Sequence, residues 1–79
     1  MKAKRKQDLA HARELLRTAY KLLSDVADKE RDDFNRMDEK YQFSTRGERR
    51  EEDIFTLENI RDGWKQDIEQ IQEIIGGIV

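Results

Sequence analysis

The sequence predicts an all-α protein. The expected architecture is an antiparallel two-helix hairpin, about 5–42 and 46–76, assembling into a homo-oligomeric helical bundle. Three observations carry this. Apolar residues recur at spacings of three and four over two long stretches. The chain has no proline to interrupt either stretch. Between them, Gln42-Phe43-Ser44-Thr45-Arg46-Gly47-Glu48-Arg49-Arg50 breaks both patterns, and Thr45-x-x-Glu48 reads as a capping box that opens the second helix.

The first helix rests on Leu9, Ala12, Leu16, Ala19, Leu23 and Val26, with Met37 returning to the same register. Leu15, Tyr20, Leu22, Ala27 and Phe34 widen this stripe beyond what one partner helix needs. The second helix rests on Ile54, Leu57, Trp64, Ile68, Ile71 and Ile75, with Phe55, Ile60 and Ile74 beside them. Gly76-Gly77 is expected to end it in a left-handed cap. Ile78 and Val79 follow as an apolar tail that folds back or reaches a neighbouring chain.

A turn at 42–45 brings Leu23 to Trp64, Ala19 to Ile68, Leu16 to Ile71 and Ala12 to Ile75, so that small residues face large ones. Glu30 and Arg61 interrupt the seam about one turn apart. They either pair or both extend to water.

The chain has 79 residues, 43% charged and 35% hydrophobic, with no cysteine, so it forms a single domain with a thin core and no disulfide. A lone hairpin of this kind exposes one side of its seam, and self-association is the usual remedy, a dimer being the smallest expected state. Residues 1–21 carry net +5, 22–45 net −3, 46–50 net +2 and 51–79 net −6. Antiparallel pairing lays the basic start of helix 1 beside the acidic end of helix 2. Met1-Lys2-Ala3-Lys4-Arg5-Lys6 resembles the charged part of a signal peptide, but no apolar run follows and none approaches membrane-spanning length. A cytoplasmic location is expected, and the lack of cysteine fits a reducing compartment.

The turn carries the candidate chemistry. Arg46, Arg49 and Arg50 stand at a helix amino end, where unpaired N–H groups favour anions. Tyr41 and Phe43 supply aromatic rings, and Ser44 and Thr45 supply hydroxyls. Gly47 falls in the first helical turn, where glycine costs about 0.5–1 kcal/mol relative to alanine. One explanation is the close approach of a backbone or ligand. The plain alternative is a tolerated glycine and a solvated charged face balanced by Glu48, Glu51 and Glu52, the usual meaning of a charge run.

The run from Phe34 to Glu48, continued by Glu52, Ile54, Leu57, Glu58 and Ile60, resembles a group of small helical proteins of phages and prophages. Their turn reads F-x-x-x-x-E-x-x-Q-x-S-x-R-G-E. This chain matches at Phe34, Glu39, Gln42, Ser44, Arg46, Gly47 and Glu48, and has Asp38 where the group often has proline. Without that proline the first helix is expected to run on toward residue 42. The resemblance covers about half the chain, residues 30 to 62, and implies a phage origin and hence the host cytoplasm, not an activity.

Catalysis is not expected. With no cysteine there is no thiol nucleophile or zinc cluster. His11, the single histidine, lies on a charged flank without local partners. Glu51-Glu52-Asp53 would need further carboxylates such as Asp32 and Asp33 to hold magnesium, and arginines crowd that region. No metal or cofactor is expected. Nucleic-acid binding through Lys2, Lys4, Arg5, Lys6, Arg13 and Arg17 is disfavoured by the acidic helix expected alongside and the net charge of −2. Two readings remain. In the favoured one, a non-enzymatic oligomer binds a small anionic, nucleotide-type ligand near the turn and sequesters a host immune signal. In the other, it is an interaction module for a host or phage protein.

Overall fold

The computed structural model describes residues 1–77. They form three helices in order: α1 Ala3–Asn35, α2 Glu39–Gln42 and α3 Thr45–Gly77. The two long helices pack antiparallel. Arg13 reaches Gln72 near the termini, and Arg31 reaches Glu58 nearer the turn. A 33-residue helix is about 50 Å long, so side-by-side pairing gives the observed rod of 57 × 14 × 14 Å.

The first helix ends earlier than the sequence predicts. It stops at Asn35 rather than near 42. Asp38 supplies the break, because its carboxylate accepts from Lys40 N–H and caps the short helix α2. The carbonyls freed by the break are satisfied locally. The Gln42 side-chain amide donates to the carbonyls of Phe34 at 2.8 Å and Met37 at 3.1 Å.

The capping residue of α3 is also corrected. Ser44, not Thr45, is the cap: Gly47 N–H donates to Ser44 Oγ at 3.1 Å and Glu48 N–H to the Ser44 carbonyl at 2.9 Å. Thr45 is already helical, so Glu48 stands one position past the capping-box partner. The last glycines do not form a left-handed cap. Gly76 and Gly77 are helical, and neither has a positive φ. Ile78 and Val79, the expected apolar tail, lie outside the described residues.

The core is small and sits toward the turn. Ala27, Phe34 and Ile54 are its buried apolar residues. Leu9, Leu16, Ala19, Leu23, Leu57, Trp64, Ile68, Ile71 and Ile75, placed in the seam by their spacing, are half-buried. Val26 does not belong to this seam and is exposed, as is Ala12. The cause is helical drift. A three-four spacing advances slightly less than a full turn, so on a straight helix the contact line hops from Leu23 to Ala27 and leaves Val26 on the flank.

Ion pairs tie the two long helices together. The expected pair of Glu30 with Arg61 is not made. Glu30 meets Arg50 at 3.2 Å, while Arg61 meets Asp28 at 3.1 Å and its neighbour Asp62 at 3.2 Å. Arg31 bonds Glu58 at 2.7 Å and lies 3.8 Å from Glu51. The Arg31 hydrogen bond holds the Glu58 carboxyl below its usual range. Ser24 Oγ is buried without a hydrogen-bond partner. Among the described residues, no helix is long and apolar enough to cross a membrane.

Candidate functional site at the turn

Gly47 is buried, and the structure gives the reason for a glycine there. A Cβ on Gly47 would overlap the Tyr41 carbonyl oxygen and come within 2.7 Å of the Gln42 oxygen. The short helix α2 therefore ends directly on the first turn of α3, and only a residue without a side chain permits that contact. Ser44 completes the junction by donating its hydroxyl to the Tyr41 carbonyl while capping α3.

Arg50 is drawn inward. Its guanidinium meets Glu30 at 3.2 Å and the Met37 sulfur at 3.7 Å. Tyr41, and then Glu30, raise its affinity for the proton above the ordinary arginine value. Tyr41 is half-buried beside it. Of the eight residues singled out at the turn, Tyr41, Ser44, Gly47 and Arg50 thus build the junction.

The other four face solvent. Thr45, Arg46 and Arg49 are exposed, and Phe43 is 78% exposed. Phe43 closes α2, its backbone N–H bonded to the Glu39 and Tyr41 carbonyls, two residues ahead of the start of α3. The turn thereby presents one aromatic ring and two uncommitted guanidiniums next to a helix terminus. That arrangement can hold a planar or phosphate-bearing anion by stacking and charge-assisted hydrogen bonds.

Sequence reasoning missed Gln42 and Asp38 as organisers of the turn. Asp38 two residues ahead of a backbone N–H is a readable cap signal. The reach of Gln42 back to Phe34 depends on tertiary placement. Among the described residues, no group of three or more His, Cys, Asp or Glu side chains is placed to hold a metal ion. His11 is exposed on α1.

Among the hollows along the rod, one, of about 230 Å³, lies against Arg31, Glu48, Glu51, Glu52 and Phe55. A second, of about 290 Å³, lies between Tyr20 and Ile68 under Arg17, Lys21 and Lys65. A third lies along Met1, Arg5, Asp8, Leu9 and Ala12 near the amino terminus. None of these three is lined by Tyr41, Phe43, Ser44, Thr45, Arg46, Gly47, Arg49 or Arg50, though Glu48 borders the first.

Compared with protein-family models, curated proteins and solved structures, the chain matches none.

Proposed function

We propose that this is a non-enzymatic, oligomeric binding protein that holds a small nucleotide-type anion at its turn end. Its role would be that of a phage-encoded sponge sequestering a nucleotide signal of host immunity. Phe43 carries the reading. A phenyl ring 78% exposed, close in sequence to exposed Arg46 and Arg49, contributes little to the packing of the hairpin. It supplies a stacking face where guanidiniums and a helix amino end supply positive charge.

The test is native mass spectrometry of protein purified from cells without denaturation. Peaks at whole multiples of the chain mass, each with an added few hundred daltons (on the order of a nucleotide) lost on heating, support the reading. Arg46→Ala and Arg49→Ala should remove the adduct and leave oligomer mass and helicity unchanged. Loss of the fold in those variants would make the arginines structural and end this proposal.

A second reading is favoured by a different observation. Leu15, Leu22, Val26, Ile60 and Ile74 are exposed along the rod, which suits an interaction module for a host or phage protein. It predicts capture of a protein partner that survives Arg46→Ala and Arg49→Ala.

A further inference from the structure

Five of the exposed apolar residues lie together, while Phe55 lies on the other side with Arg31 and Glu51. At about 100° per residue, Leu15, Leu22 and Val26 share one flank of α1, and Ile60 and Ile74 share one flank of α3. Because α3 runs antiparallel, both flanks open to the same side of the rod. The ties of Arg13 to Gln72, Arg61 to Asp28 and Arg31 to Glu58 line the opposite side. Val26 lies level with Ile60, and Leu15 lies within a turn of Ile74. Between them stand Leu22, 66% exposed, and Gly63, whose missing Cβ would meet nothing in the hairpin.

We propose that this face is the docking surface for a second copy of the chain, related by a two-fold axis parallel to the helices, with both turns at the same end. The inference rests on the self-association proposed above and specifies its surface and symmetry. Two arguments, charge and shape, select a second copy in this orientation.

Charge selects the orientation. This two-fold axis lays α1 of one copy over α3 of the other. It places net +5 (residues 1–21) over the net −6 of residues 51–79, and net −3 (22–45) near net +2 (46–50). The opposite crossing, turn over termini, would lay α3 on α3. Asp67, at the seven-residue step between Ile60 and Ile74, would then face the acidic α3 of the other chain.

Shape agrees. Leu22 of one copy meets the open backbone at Gly63 of the other, a large residue against a position that the hairpin itself leaves empty. Glycine inside a helix is disfavoured, and close approach of a neighbouring chain gives it a use. The same-end arrangement also sets two turns side by side, so that Phe43, Arg46 and Arg49 of both copies border one space.

The absence of cysteine makes cross-linking a clean test. Val26→Cys and Ile60→Cys chains are prepared separately, mixed to exchange subunits, oxidised and read by mass. The expected product is a disulfide-linked pair of one chain of each kind. A Val26→Cys with Leu15→Cys mixture, the pair that the opposite crossing would join, should give no such product. Sedimentation of the unaltered chain should read a dimer or a multiple of it. Leu22→Lys should weaken association by more than about 100-fold.

A monomer of the unaltered chain overturns both the self-association and this surface. An oligomer that joins residue 26 to residue 15, or joins neither pair, overturns this surface alone.

Discussion

The side-chain amide of Gln42 donates to the backbone carbonyl of Phe34 at 2.8 Å, so the last residue of α2 also closes the last turn of α1. The same nitrogen donates to Met37 at 3.1 Å. Gln42→Leu keeps the size of the side chain and removes both bonds. The Met37 carbonyl is left without a donor while the Phe34 carbonyl keeps Met37 N–H, so the loss is about 1–3 kcal/mol. Urea unfolding followed by circular dichroism should place the midpoint lower by that amount, with helix content at zero denaturant nearly unchanged.

Gly47→Ala tests the contact between α2 and α3. The added methyl would overlap the Tyr41 oxygen and press on the Gln42 peptide, which is backbone and cannot rotate away. The expected cost is about 1–3 kcal/mol, despite alanine's better helix propensity. Gly76→Ala is the contrast, because its Cβ meets open space. A Gly47→Ala chain that melts at or above the temperature of the parent would show that α2 does not rest on α3.

The Arg31–Glu58 bond should leave a mark on the acid side of the stability curve. Glu58 has its carboxyl pKa lowered from an ordinary 4.5, chiefly by the Arg31 hydrogen bond. A lowered folded-state value means that the unfolded chain binds the proton more readily. Its contribution is therefore full above about pH 4.5 and is lost as pH falls through the folded-state value. Glu58→Gln should flatten the decline in stability below that pH and cost about 0.5–1 kcal/mol near neutrality. Denaturant titrations across the acid range read both effects.

Ser24→Ala should stabilise the chain. Its hydroxyl oxygen is buried without a partner, so removing it discards an unmet polar group and gains helix propensity. The expected rise is about 0.5–1 kcal/mol. A lower melting temperature would mean that the hydroxyl has a partner in solution, ordered water being the first candidate.

The long helices were legible because their apolar spacing spans many turns and no proline contradicts it. The break after Asn35 was not, since no glycine or proline marks it. It depends on Asp38 as a cap and on Gln42 folding back to α1, a tertiary bond that spacing does not encode. Gly47 was legible as an expense without a stated cause. The cause is the end of α2, an element absent from the expected hairpin.

Partner choice among charges was the least readable. Arginine side chains span about a helical turn, so Glu30 was open to Arg50 as well as Arg61. At the turn, sequence grouped eight residues. The structure divides them into four that hold the junction and four that face water, a division set by the position of α2.

The uneven placement of the core has a kinetic face. Ala27, Phe34 and Ile54 are packed toward the turn, while the terminal halves of α1 and α3 meet only through half-buried residues. Opening should therefore begin at the termini and travel inward like a zipper. Amide hydrogen exchange should fall off in protection from about Phe34 toward Leu9, and from Ile54 toward Ile75. A chain that docks its apolar flank on a copy would level that gradient as concentration rises, so exchange at Leu16 and Ile71 would report assembly residue by residue.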